Sequence, residues 1–242
     1  MRFLPGRVSD FLQTVAHRDF QGGALGRHGA LLSSLIILFG ALPLGHFLVG
    51  ENLRFPLLLA LVLTTAVFVN SHQRWIYVLA LIIGVGAISG LAYSAYFDSA
   101  PIRIAGEMLG LALLGLTTFV MFNSLLHADE VSQDTVIGGI CVYLLIGLCF
   151  ALSFILMTDL SPGTLALGTE PLVRSAADSS AHSTTLLYFS FVTLTTLGYG
   201  DVRPIGELAR MLSVVEALIG QLYLAIFVAR LVALYVVSSQ RD

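Results

Sequence analysis

The chain has 242 residues, 57% of them hydrophobic and 11% charged, with a mean hydropathy of +0.89. A soluble domain carries roughly 25% charged residues, so this composition excludes a soluble enzyme and belongs to an integral membrane protein with little soluble mass. The net charge is −3, every basic residue is an arginine, and no basic run is interleaved with aromatics, so no nucleic-acid partner is expected.

Residues 1–28 form a polar to mixed N-terminal segment, expected in the cytoplasm. Arg2, Arg7, Arg18 and Arg27 make it basic, and Val8, Phe11, Leu12, Val15 and Ala16 suit a short amphipathic helix on the membrane surface. It lacks the apolar core of a cleavable signal peptide. Apolar stretches follow at 29–50, 53–70, 75–97, 102–126, 135–158 and 207–237. Each is read as a transmembrane helix, for which about 20 residues are needed. The second is short for a span and opens with Pro56, a residue tolerated in a first turn. Trp75, Tyr77 and Tyr93 lie near the ends of the third, as in an aromatic belt. The sixth would be about 46 Å long if wholly helical and must tilt or project. Cys141 and Cys149 share the fifth stretch. On a helix they lie about 12 Å apart, too far to pair with each other, and they read as small buried apolar residues.

The fourth stretch has Arg103 near its start and Glu107 one turn on, with nothing basic thereafter through Leu126. The two are expected to satisfy each other at i, i+4. Moving one charge across the membrane field is worth about 2.3 kcal/mol per 100 mV, and steep voltage gating needs three or four per subunit. The stretch therefore lacks a voltage sensor. His46, His72, His127 and His182 are scattered over different segments, so no haem or metal site is expected. Arg230, near the inner end of the sixth stretch, is placed to snorkel to the cytoplasmic surface.

Between the fifth and sixth stretches, residues 159–181 are rich in Ser, Pro, Gly, Thr and Asp and read as an exposed turret. Residues 183–195 are apolar but too short to span. The run Thr195-Thr196-Leu197-Gly198-Tyr199-Gly200-Asp201 follows at once. Over its whole length this run resembles the selectivity filter of tetrameric potassium channels, in the pore-loop cation channel family. A dehydrated potassium ion is held there by backbone carbonyls from four copies of one strand. Aiming successive carbonyls inward needs conformations that L-residues disfavour, and Gly198 and Gly200 reach them at little steric cost.

The resemblance covers about residues 135–237. It implies an all-α membrane protein with six transmembrane helices and a re-entrant pore helix with its filter between the fifth and sixth. It divides the chain into residues 1–28, a four-helix domain at 29–134 and a pore domain at 135–242. It also implies a homotetramer among membrane lipids in the cell (inner) membrane, multi-pass, with both termini cytoplasmic. Potassium is the permeant ion, bound at Thr196, Leu197, Gly198, Tyr199 and Gly200, with the Thr196 hydroxyl innermost. No cofactor and no enzymatic step are implied, and the resemblance leaves an accessory subunit open. The family's inner-helix hinge glycine, 20 residues past the second filter glycine, corresponds to Gly220.

Thr195, Asp201, Arg203 and Glu216 are expected to support the filter and its outer mouth. Glu216 is placed behind the filter, tied to the pore helix by Thr193 or another hydroxyl, or else engaged in helix packing. Gln221 faces either the cavity or a neighbouring helix. Arg203 either rings the entrance or folds back onto Asp201 or Glu207. Two rival functions remain: a potassium transporter subunit, and a membrane sensor with a cofactor in helices one to four.

Overall fold

A computed structural model describes residues 28–44, 54–69, 74–97, 99–127, 132–174 and 179–239. The amphipathic segment, His46 and His72 lie outside them. The order of elements is α1 (Gly29–Leu44), α2 (Arg54–Val69), α3 (Arg74–Phe97), α4 (Ala100–Leu126), α5 (Gln133–Leu160), β1 (Leu165–Leu167), β2 (Glu170–Pro171), α6 (Ser179–Leu194), β3 (Val202–Pro204) and α7 (Glu207–Ser239). Local sequence sets several of the ends. Helix α4 starts after an extended Ser99 with Pro101 in its first turn, where a missing N–H is harmless. Helix α5 opens with a capping box: Ser132 accepts from the Thr135 N–H at 3.1 Å, and Thr135 Oγ1 accepts from the Ser132 N–H. In the same turn Asp134 lies 2.8 Å from the His28 ring, which couples the starts of α1 and α5.

Among the described residues α4, α5 and α7 hold stretches long and apolar enough to cross a membrane. Helices α1 to α3 hold shorter ones, Gly29–Leu42, Phe55–Ala66 and Ala80–Gly90. These helices share one core, in which Leu35 of α1, Leu59 of α2, Leu114 of α4, Leu148 of α5 and Leu187 of α6 belong to a single buried cluster. The N-terminal helices therefore lean directly on the C-terminal module. Phe39 of α1 meets Phe191 of α6 edge-on with ring centroids 4.8 Å apart. Ser34 and Thr65 join α1 to α2 through their hydroxyls at 2.9 Å.

The described part of the turret is mostly exposed, as its composition suggests, but it is an ordered sheet with an anchor and not a plain loop. Leu165 and Ala166 are buried. Strand β1 pairs antiparallel with β2 and with β3, in the order β2-β1-β3, with Ala166 opposite both Pro171 and Arg203. Strand β3 starts one residue past Asp201, so the turret grips the chain as it leaves the glycine-rich run. Strands this short carry too few residues for an alternation to be read.

Helix α4 also departs from expectation. Arg103 and Glu107 each find a partner remote in sequence. Arg103 Nε donates to Asp159 Oδ2 at 2.9 Å, and Arg174 Nη1 donates to the same oxygen at 2.8 Å and to Glu107 Oε1 at 3.0 Å. The side chains of Asp159 and Glu107 are almost wholly buried. Two cations and two carboxylates thus tie α4, α5 and the turret together, where partnering offsets the high cost of burying charge.

Candidate functional site

The site is built on α6. Its C-terminal half is seated by small and aromatic residues. A Cβ on Gly147 of α5 would meet the Phe191 ring at 2.6 Å, so only glycine lets that ring lie against the α5 backbone. Phe189 packs edge-on against Phe154 at 4.9 Å. Ser190, fully buried, donates to the Gly147 carbonyl at 2.7 Å and stands 2.5 Å from Glu216 Oε1. Glu216 of α7 is itself fully buried. The hydroxyl that reaches it is Ser190; Thr193 donates to Phe189 O of its own helix.

Helix α6 ends in a two-bond reversal. The Leu197 N–H bonds to Val192 O and the Thr196 N–H bonds to Thr193 O, both at 2.9 Å. This is a Schellman cap, whose left-handed position is usually taken by glycine. Here Thr196 occupies it with φ +57°. A left-handed β-branched residue is unusual and costs about 1–2 kcal/mol. Sequence reasoning assigned the disfavoured conformations to the glycines and missed this one, because nothing in the run marks a threonine as left-handed.

Beyond the cap, Gly198 has φ +61° and Gly200 φ +78°, while Leu197 and Tyr199 stay at negative φ. The sign of φ thus alternates from Thr196 to Gly200. In an extended strand, successive residues face opposite sides. Alternating the hand of the backbone removes that inversion and suits a run whose carbonyls must face one way. The Tyr199 ring stacks on Tyr188 of α6, nearly parallel, at 6.5 Å. At the outer end the Gly168 N–H donates to Asp201 O at 2.8 Å, and Arg203 Nη2 donates to Gly168 O at 2.6 Å, rather than turning to Asp201 or Glu207. The run is therefore held at its inner end by the helix cap, at its middle by an aromatic stack, and at its outer end by the turret.

Helix α7 passes close to the cap. A Cβ on Gly220 would collide with the Leu194 carbonyl oxygen. The helix continues through Gly220 without interruption, and in this conformation the glycine serves close packing. One residue on, Gln221 Nε2 donates to Thr196 Oγ1 at 3.4 Å. Thr195 Oγ1 donates back to Phe191 O at 2.6 Å. Behind the run lies an apolar cavity of about 450 Å³, lined by Phe39, Leu42, Leu187, Tyr188, Phe191 and Leu197. Residues Thr195 to Asp201 are exposed in the single chain.

The first turns of α6 hold His182, buried, with Nε2 3.0 Å from Thr158 Oγ1. The Thr158 proton is directed to Ile155 O at 2.8 Å. Thr158 therefore accepts from His182 Nε2–H, which leaves Nδ1 as a buried atom without a partner. Burial, and then the nearby Arg174 guanidinium, push the imidazole down to about 4 against the pull of Asp159. His182 is neutral at pH 7. Among the described residues no three His, Cys, Asp or Glu side chains gather as a metal site.

A short helix, a reversal into a glycine-bearing run of alternating hand and a long apolar helix describe an ion channel domain. Residues 172–237 match the family model for an ion channel. The chain is also similar to protein LctB of Bacillus caldotenax, at 48% identity over 46 residues, which are 19% of this chain and 34% of that protein. The chain thus spans about a third of the length of that curated relative. No solved structure matches it. The apolar helices and this domain make the chain a membrane protein that carries an ion channel domain.

Proposed function

We propose that the chain is one subunit of a potassium-selective channel that conducts passively, with weak or no voltage dependence, through a homotetrameric pore. The observation that carries this reading is the alternating hand of the backbone at Thr196, Gly198 and Gly200 in a run that reads Thr-Leu-Gly-Tyr-Gly. Carbonyls from Thr196 to Gly200 would replace the ion's water shell. Thr196 adds its hydroxyl at the inner end. Glu216, Thr195, Asp201 and Arg203 support the filter and its mouth. Non-helical backbone at membrane depth persists only where it is buried in protein or lines a wet cavity. In this reading further copies surround the axis and cover residues 195–201, which one chain leaves exposed, and four close a potassium cage. In this reading α1 to α5 and α7 cross the cell membrane, α6 is re-entrant, and both termini face the cytoplasm. Potassium is bound only in transit, and no cofactor or reaction is involved.

The test is ion flux from proteoliposomes made with the purified protein. Potassium efflux that collapses the imposed gradient, with sodium flux at least an order of magnitude slower, is the expected result. Equal rates for the two ions would remove the potassium assignment. No flux of either ion would remove the channel.

A further inference from the structure

We propose that Gln221 is a positioning residue for the innermost cation site, holding the Thr196 hydroxyl in the rotamer that turns an oxygen lone pair toward the axis. The inference rests on the channel reading above and adds a residue to it. Three observations carry it. The first is the rotor itself. Thr196 Oγ1 donates to Thr195 O at 2.7 Å, so its single proton is committed. A hydroxyl with its proton so directed is an oriented acceptor, with two lone pairs to offer. The second is the partner. Gln221 Nε2 donates to that same oxygen at 3.4 Å from α7. It takes one lone pair and leaves the other for an ion. The third is the reason Gln221 can reach. Gly220 brings the α7 backbone against the Leu194 carbonyl, where a side chain would collide. The amide one residue later is thereby set beside the first residue of the filter. Without it, the hydroxyl of this exposed, left-handed threonine is held only by its bond to the adjacent Thr195 carbonyl on the same strand, and it exchanges more readily among its rotamers. The ion would then meet an averaged ligand at this level and not a fixed one.

Barium is a suitable probe, because a divalent ion of nearly the size of potassium lodges in a potassium cage and blocks it. Potassium currents from wild-type protein in planar bilayers are titrated with barium on the cavity side. The variants are Gln221→Met, which keeps length and bulk but cannot donate, Thr196→Val, which keeps shape but lacks the hydroxyl, and the double variant. Gln221→Met should weaken barium block about tenfold in the Thr196 background and leave it unchanged in the Thr196→Val background. Contacts that act through a shared partner give such non-additivity. An equal loss in both backgrounds would mean that Gln221 acts through general packing and would overturn the proposal. So would unchanged block in Gln221→Met. Tighter block would overturn it too, since Gln221 would then be competing with the ion for the hydroxyl. A wild-type protein that passes no potassium would remove the channel reading and this inference with it, whereas intact potassium current with any of the contrary barium results removes this inference alone.

Discussion

Ser190 and Glu216 face each other at 2.5 Å in the fully buried seam between α6 and α7, and the same Ser190 oxygen lies 2.7 Å from Gly147 O. A hydroxyl carries one proton, so it cannot serve two acceptors. With that proton on the Gly147 carbonyl, the seam is satisfied when the group at position 216 donates. A neutral carboxyl or an amide does this; a carboxylate does not. Glu216→Gln should therefore fold, assemble and conduct close to wild type. Glu216→Ala strands Ser190 beside a void and should cost about 1–3 kcal/mol per subunit. Detergent-solubilised thermal unfolding of the two variants checks the order. A Gln variant as unstable as the Ala variant would show that position 216 must bear charge.

The backbone of the proposed filter gives a paired expectation. Gly198 has open space around its missing Cβ in the single chain, so the penalty for Gly198→Ala is conformational and comes from φ +61°. It amounts to about 1–2 kcal/mol in each strand, and the strand can escape it only by flipping. Potassium-selective flux should be lost. Thr196→Gly acts in the opposite direction on stability, because glycine suits the left-handed cap position, yet it removes the hydroxyl. Its thermal midpoint should equal or exceed that of wild type while ion discrimination falls. Potassium-selective flux that survives Gly198→Ala would defeat the filter assignment.

Much of the local structure around residues 195–201 was legible in the sequence, and the reasons are local. The run 195–201 is contiguous, its glycines sit where the backbone turns left-handed, and the helices on either side are long and apolar. What stayed hidden depends on residues far apart in the chain. Arg174 meets Glu107 across 67 positions, and no periodicity encodes that meeting, so Arg103 and Glu107 looked like a self-contained pair. Ser190 was overlooked because a serine inside an apolar helix carries no sign of its partner. The turret strands were too short to alternate. Thr196 shows the opposite case, a residue whose local preference is overridden by the cap that it completes.

The ion network on α4 bears on voltage. Arg103 is the sole basic residue of that helix, and the structure fixes it to Asp159, which Arg174 also holds. A sensor must move charge through the field, and this one is held between carboxylates and a second arginine. Open probability should change little over about 200 mV, because a charge free to cross the whole field would gain about 4.6 kcal/mol over that range, whereas Arg103 is held in place by Asp159 and gains almost none of it. Single-channel recording across that range is the check. A steep conductance–voltage curve with several gating charges per subunit would refute it; mild rectification would not.

Acid should act through His182. Its ordinary pKa is 6.5 and its folded value is about 4, so the unfolded chain takes up the proton first. Stability contributed by the neutral ring is fully present above about pH 6.5 and is lost progressively as pH falls toward 4. The added proton would sit on the unpartnered Nδ1, close to the Arg174 guanidinium. Glu107 and Asp159 lie in the same neighbourhood, so the contribution of His182 is read by difference. Wild type should lose more thermal stability between pH 6.5 and 4 than His182→Gln, whose amide can still donate to Thr158. Parallel pH profiles for the two proteins would remove His182 from the account.

At the outer mouth, Arg203 stands opposite Ala166 in the β1–β3 ladder and donates to the Gly168 carbonyl at 2.6 Å. Its guanidinium is thereby held on the turret, two residues past Asp201, and it offers a cation where a blocker such as tetraethylammonium would need an aromatic face. Cation–π contact is worth about 0.5–2 kcal/mol at such a site, and four tyrosines would add several such contacts. External tetraethylammonium should therefore block the unmodified channel poorly, and Arg203→Tyr should strengthen block. Arg203→Gln separates charge from cage. It retains a donor for the Gly168 carbonyl but removes the positive ring, so block should rise slightly and far less than with tyrosine. If Gln and Tyr strengthen block equally, repulsion alone governs the mouth and the aromatic cage plays no part. Potent external block of the unmodified channel would contradict both the charge and the missing cage.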